Sequence, residues 1–141
     1  MTTAAWPVAA KMKPREAIST WMVGPKHFKQ LAALRVRHPG GTPLMEPDTW
    51  SGAFDGDRLV AAIGWKMLEP GVATIIELDK VDDRWGIIGT VVLIKSFVEG
   101  AEAQGMRVQA LILPSNTALR NFMREKIGAQ CILEMWGKVT E

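Results

Sequence analysis

The hydrophobic and polar positions of this 141-residue chain change their period several times from start to end. Residues 18–23 form a short run rich in strand-forming side chains. After Gly24 an apolar stripe appears at helical spacing and continues to about Arg37. This stripe contains Phe28, Leu31, Leu34 and Val36. The start of the chain therefore predicts a strand followed by an amphipathic helix.

Strand patterns occupy the middle of the chain. Candidate strands cover residues 50–54, 59–68 and 72–79. The first two are separated by Asp-Gly-Asp at 55–57, and the last two by Glu-Pro-Gly at 69–71, which are strong turn sequences. Connections this short predict antiparallel hairpins.

Helical spacing returns beyond residue 80. Ile87, Val91, Ile94 and Val98 fall on one face of a helix that apolar residues surround on most sides, so we expect it to be largely buried. An apolar strand over residues 108–113 follows, and its composition is consistent with a central position in a sheet.

A last helix and strand close the pattern. Asn116 is placed to cap the N-terminus of this helix and Gly128 its C-terminus. A final strand is predicted from Cys131 to about Val139. The whole pattern predicts an α+β (α/β three-layer) domain with a mixed, mostly antiparallel sheet and flanking helices.

The domain organisation follows from where periodicity begins. Residues 1–16 have no clear period and contain two prolines, so we expect an extended N-terminal arm. Residues 17–141 are long enough to form a single domain with its own core. The arm contains Trp6 and three basic residues, which makes it a candidate contact for protein partners.

Composition excludes several classes of function. A net charge of +2 with scattered basic residues gives no reason to expect nucleic-acid binding. No apolar stretch approaches the roughly 20 residues of a membrane span, so no membrane association is expected. One cysteine and two histidines do not make a plausible metal site, so none is predicted. The single cysteine also fits a reducing compartment, and we expect a cytoplasmic protein.

The order strand, glycine-containing turn, helix, strand and Asn-capped helix resembles the GNAT superfamily of N-acetyltransferases over residues 50–136. Arg84 and Gly89 match the first and last positions of the superfamily's Arg/Gln-x-x-Gly-x-Gly/Ala loop. Asn116 and Gly128 match its later helix. In size and in the degraded loop, the chain is similar to small, diverged acetyltransferase-like proteins of tailed bacteriophages.

The resemblance implies acetyl-CoA as cofactor, held in the splay between the fourth and fifth strands with its pyrophosphate at the start of the following helix. The implied cofactor contacts are Arg84, Gly86, Ile88, Gly89, Thr90 and Asn116. For Arg84 a solvated loop charge is the alternative, and for Asn116 simple helix capping.

Glu77 is the candidate general base, because it lies on the fourth strand and an amine must lose a proton to attack a thioester. Asp79 shares its strand face by alternation. The alternative for Glu77 is an ordinary strand carboxylate that faces solvent or pairs with a lysine.

Two features depart from the superfamily. Ile87 stands at the loop's middle glycine, where a Cβ hinders the approach of phosphate to the backbone. The tyrosine that often protonates the leaving thiolate is absent, since the chain has no tyrosine, and Met123 or Arg124 takes its place.

The resemblance thus implies acyl-CoA-dependent N-acyl transfer to an amine. The alternative is a non-catalytic assembly component of a phage virion, with residues 1–16 contacting its partners. The chain would then work in the host cytoplasm or in the virion.

Overall fold

The computed structural model describes residues 18–36, 45–111 and 117–128. The chain divides into two units, one up to Leu111 and one from Ile112. The elements of the first unit are β1 (Ser19–Met22), a 3₁₀ turn (Pro25–His27), α1 (Phe28–Val36), β2 (Thr49–Asp55), β3 (Arg58–Glu69), β4 (Val72–Lys80), α2 (Arg84–Ala103) and β5 (Arg107–Ala110).

The five strands form one sheet in the order in which they occur along the chain. β1 to β4 pair antiparallel, and β5 pairs parallel to β4. The hairpin turns place Gly56 and Gly71 at φ 62° and 80°, a conformation that favours glycine. The parallel pair needs a long crossover, which α2 supplies. The predicted mixed, mostly antiparallel sheet with flanking helices is confirmed.

The two long helices cover opposite faces of the sheet. Ala62 belongs to an apolar cluster with Leu31 and Leu34 of α1. Its neighbour Ala61 lies against the Gly89 position of α2. Because successive strand residues point to opposite faces, α1 and α2 must lie on different sides.

The inward face of α1 is narrower than the sequence pattern predicted. Leu31 and Leu34 are buried, but Phe28 is 54% exposed and Val36 is 87% exposed. Val36 is rotated by roughly 200° from Leu34, since each helical residue turns about 100°. Only the middle of the predicted stripe therefore contacts the sheet.

The rotation of α2 also differs from the prediction. Ile87 is 59% exposed, and Val91 and Val98 are half-buried. The buried side consists of Gly86, Gly89, Leu93, Ile94, Phe97, Gly100 and Ala101. Small residues allow the helix backbone to approach the sheet closely, and this outweighs the larger apolar side chains that line the other side.

Several predicted features lie outside the described residues. They are the arm at residues 1–16, the end of the strand predicted over 108–113, Asn116, Cys131 and the closing strand. The described part of the second unit is α3 (Thr117–Phe122), continued by a π-helical turn (Met123–Ile127). Gly128 ends that turn with a left-handed φ of 82°, which confirms its predicted capping role. None of the helices described is both long and apolar enough to cross a membrane.

We expect Gly89→Ala to destabilise the protein by about 1–2 kcal/mol. An added Cβ would lie 2.6 Å from Cγ2 of Val60, and overpacking of this kind typically costs about 1–3 kcal/mol, more than the helix propensity gained. Urea unfolding measures the change. Gly24→Ala is the matched control, because no atom lies within 4 Å of its added Cβ. Equal stability of the two variants would contradict the packing role of Gly89.

Candidate functional site

The centre of the candidate site is a buried ion pair between α1 and β4. Arg35 Nε donates to Oε2 of Glu77 at 2.9 Å, and Nη2 donates to Oε1 at 3.0 Å. The Glu77 side chain is only 2% exposed. This carboxylate therefore does not face solvent, and it is held in one orientation by a bidentate contact, the strongest geometry for such a pair.

The strand register explains why the guanidinium reaches this position. Trp50 of β2 pairs with Gly64 of β3, which in turn pairs with Glu77. A Cβ at Gly64 would lie 2.7 Å from the Trp50 ring, so the glycine makes room for the indole. The Arg35 guanidinium lies 4.9 Å from the centre of that ring, within cation–π range.

Arg35 also contacts a second carboxylate, the exposed Glu46, at 3.2 Å. The hydrogen bond to Glu77 is the main reason that the pKa of Arg35 lies above its usual range, with Glu46 contributing further. Arg35 is therefore a fixed positive charge at the surface of a buried acidic pair.

The second member of that pair is Asp79, two residues further along β4. Asp79 is 2% exposed, and it faces the same side of the sheet as Glu77. Burial raises the pKa of Asp79 to about 9, and the hydrogen bond to Glu77 and its charge act in the same direction, while the charge of Arg35 opposes them. Asp79 therefore carries a proton at neutral pH.

Glu77 lies in β4 beyond the last residue pair with β5 that the structure describes. The described pairing ends at Ile75 and Ala110, where Leu111 N also donates to Ile75 O at 2.9 Å. β4 itself continues to Lys80. Gly64 pairs with Glu77 but Trp65 pairs with Ile75, so Ile76 forms a bulge next to the acid. Bulges of this kind re-aim the neighbouring backbone and side chains.

The start of α2 is already occupied by an aspartate. Asp83 caps the helix by accepting from Trp85 N at 2.9 Å, and its carbonyl accepts from Gly86 N at 3.0 Å. Arg58 donates to the carboxylate at 2.7 Å and is the main cause of the lowered pKa of Asp83. The helix begins at Arg84, so the residues that resemble a phosphate-binding loop form its first two turns.

The predicted cofactor contacts have varied surroundings in this helix. Arg84 is exposed, with its guanidinium 5.0 Å from the Trp85 ring, and Ile88 is half-buried. The hydroxyl of Thr90 donates to the carbonyl of Gly86 at 2.7 Å. Asn116 lies outside the described residues.

Both glycines of this segment are buried, and each has a packing reason of its own. A Cβ at Gly86 would overlap the carbonyl oxygen of Val81, and one at Gly89 would press on Val60. Glycine is thus required at Gly86 by the connection that precedes the helix and at Gly89 by the close contact between helix and sheet, whatever else the backbone binds.

Sequence reasoning found the acidic pair but missed the residues that control it. Arg35 falls on the polar side of the predicted helix among other basic residues, and no local pattern distinguishes it. Asp83 could have been found, because an aspartate directly before a helical pattern is a typical N-cap. In the part of the chain that the structure describes, no group of three or more His, Cys, Asp or Glu side chains could hold a metal ion.

Comparisons with known proteins identify the fold. No protein-family model matches the chain, and no curated protein sequence matches it. Among solved structures it aligns with the ribosomal-protein-alanine N-acetyltransferase of Brucella melitensis biovar Abortus 2308 at a TM-score of 0.66 and 17% identity, covering 89% of this chain and 100% of that one. The aminoglycoside N-acetyltransferase AAC(6')-Iy, in complex with a CoA-containing bisubstrate analogue, aligns at a TM-score of 0.64 and 12% identity, covering 88% and 98%.

A third similar structure is a GNAT-family protein of Novosphingobium aromaticivorans, with a TM-score of 0.56 and 20% identity over 82% of this chain. The chain spans about half of that protein's length, 52%. At these identities the likeness establishes the fold, and the fold is that of the GNAT acetyltransferases.

Removal of Arg35 should destabilise the protein. In Arg35→Met the buried Glu77 loses its partner, and we expect a loss of about 3 kcal/mol, near the lower end for a broken buried pair. Urea unfolding measures this loss. The double variant Arg35→Met/Glu77→Gln should recover part of it, because no buried charge is left unpaired.

Arg58→Met is the matched control for that experiment. Its ion pair with Asp83 is about half exposed on both sides, 45% and 48%, so its removal should cost less than about 1 kcal/mol. A cost for Arg35→Met no larger than for Arg58→Met would contradict the buried pair.

The stability of the protein should fall as pH rises from about 4 to about 9. The pKa of Asp79 is raised on folding to about 9, so the folded state binds this proton more tightly than the unfolded state. The stabilisation is complete below the ordinary aspartate pKa and is lost as pH rises through the raised value. Urea unfolding at several pH values should show a flatter dependence for Asp79→Asn. Parallel curves for the two proteins would show that Asp79 does not hold the proton.

Proposed function

We propose that this chain binds an acyl-coenzyme A, with acetyl-CoA as the simplest case, and transfers the acyl group to an amine. The observation that carries the proposal is the buried, Arg35-held Glu77, which lies next to a bulge in β4. The shared fold supports it, because two of the similar structures were determined with CoA or a CoA analogue.

The acyl-CoA would lie along β4 beside this bulge, with its pyrophosphate near the start of α2. A helix N-terminus attracts anions through its first amides and its dipole. Arg84 is exposed there and can add a positive charge. Gly86, Ile88, Gly89 and Thr90 are the other contacts proposed in this helix, and the contact by Asn116, which lies outside the described residues, remains a prediction from the sequence.

The hydrogen bonding within α2 determines which of these residues can still contact a phosphate. Only the first four amides of an α-helix lack partners within it, so Ile88, Gly89 and Thr90 have their amides in helical hydrogen bonds. The amide of Gly86 donates to Asp83. Arg84 is therefore the contact that the surroundings favour most. Asp83 would lie close to the phosphates, where its pairing with Arg58 reduces the repulsion.

The chemistry proposed for Glu77 is proton removal from the attacking amine, directly or through a water molecule. Backbone N–H groups of β4 would polarise the thioester carbonyl, and fixed donors of this type stabilise the oxyanion of acyl transfer. Arg35 sets the orientation of Glu77, and it remains charged throughout.

The alternative function, an assembly component built on the same fold, makes the opposite prediction. A protein that kept the fold without the chemistry has no need of an acyl-CoA site. The bacteriophage origin and the role of residues 1–16 in contacting partners remain predictions from the sequence.

Isothermal titration with acetyl-CoA tests the proposal. We expect micromolar binding by the wild-type protein and about tenfold weaker binding by Arg84→Gln, because a charge-assisted hydrogen bond contributes about 1.5–3 kcal/mol. Lys95→Gln is the matched control, with the same loss of charge at an exposed position further along α2. Failure of the folded wild-type protein to bind would rule out acyl transfer and favour the assembly role. Equal weakening in both variants would rule out Arg84 as a phosphate contact.

A further inference from the structure

Acyl transfer from a thioester to an amine moves one proton overall. The attacking nitrogen must lose a proton, and the departing sulfur, a thiolate, must gain one. The chain has no tyrosine, so no phenol can supply this proton. The second proton donor must be sought among the side chains near Glu77.

Asp79 is the side chain whose geometry fits this task. It lies two residues from Glu77 on the same face of β4, and both residues are buried, at 2% and 3% exposure. Among the residues that the structure describes, the charged groups facing Asp79 are Glu77 on its own strand and Arg35 on α1, while its partner on β3 is the apolar Ala62. One guanidinium thus balances two buried carboxyl groups. Like charges this close cannot both be ionised cheaply, so the pair retains one proton.

We propose that Asp79 is the proton-holding partner of Glu77, and that the two carboxyl groups relay a proton from the amine to the thiolate. This inference rests on the proposed acyl transfer. It adds a residue that the sequence comparison did not assign, and it identifies a donor in a chain without tyrosine.

The relay balances. The amine nitrogen bonds to the thioester carbon as Glu77 accepts the nitrogen's proton. The C–S bond then breaks, its electron pair stays on sulfur, and the thiolate takes the proton of Asp79. The proton on Glu77 passes along the existing hydrogen bond to the Asp79 carboxylate, which restores the starting state. The net result is an amide and a free thiol.

The acidity of Asp79 suits this exchange. Burial first, and then Glu77, raises the pKa of Asp79 to about 9, which is near the ordinary pKa of about 8.5 for a thiol. Proton transfer between groups of similar pKa is efficient, and a donor with an ordinary aspartate pKa would already have lost its proton at neutral pH.

The shared proton can be measured without any activity. In protein labelled with carbon-13 at the aspartate and glutamate carboxyl groups, the Asp79 resonance should titrate well above pH 7. Asp57, an exposed aspartate paired with Lys26 and with a lowered pKa, is the internal control. An Asp79 resonance that titrates below pH 5 overturns the proposal.

Kinetics test the relay. With acetyl-CoA as donor, and neamine and an alanine-ended peptide as acceptors, free thiol release is followed against pH. Asp79→Asn can still donate a hydrogen bond to Glu77 but has no proton to give. Its kcat should be about 10²-fold lower, with an unchanged KM for acetyl-CoA, and it should lack the wild-type fall in kcat above about pH 9. Asp57→Asn should behave as wild type.

These outcomes distinguish a failure of the proton relay from a failure of acyl transfer. Transfer by Asp79→Asn at the wild-type rate and with the wild-type pH profile overturns the relay and leaves acyl transfer intact. Absence of transfer by the wild-type protein overturns acyl transfer and the relay together, whereas the carboxyl titration still reports whether the proton is shared.

Discussion

The bidentate contact between Arg35 and Glu77 joins α1 to β4. A buried carboxylate is costly to desolvate, and it is tolerated when a guanidinium satisfies both of its oxygens. Arg35 meets this condition because Gly64 leaves room for Trp50, over which the guanidinium lies. This one charge holds Glu77 in its orientation, and it acts against the burial that raises the pKa of Asp79.

A second constraint acts on the opposite face of the sheet. α2 approaches the strands so closely that Gly89 has no space for a side chain, and Gly86 lies against the carbonyl oxygen of Val81 in the connection before the helix. These are the glycines that, in sequence, look like a phosphate-binding loop. Because packing alone requires glycine at both positions, the glycine pattern indicates the fold and does not by itself indicate a phosphate site. The chemical case rests instead on β4, where a bulge and two buried acids coincide.

The strands could be predicted well from sequence because their signals are local. Turn residues at 55–57 and 69–71 fix the hairpins, and alternation correctly put Glu77 and Asp79 on one face. The rotation of α2 could not be predicted, because apolar residues surround most of it and the close approach of glycines decides which side faces the sheet. The burial of the two acids and the contact with Arg35 depend on tertiary structure, since Arg35 and Glu77 are 42 positions apart in sequence.

We propose that the acidic pair of Glu77 and Asp79 adjoins the site of an acyl-CoA thioester. The most direct test follows the carbon-13 resonances of the side-chain carboxyl groups while acetyl-CoA is added to saturation. The Glu77 and Asp79 resonances should shift together as the ligand binds, whereas the resonance of the exposed Glu102, at the opposite end of α2 from Arg84, should not. Binding of acetyl-CoA that leaves both resonances unchanged would contradict this proposal.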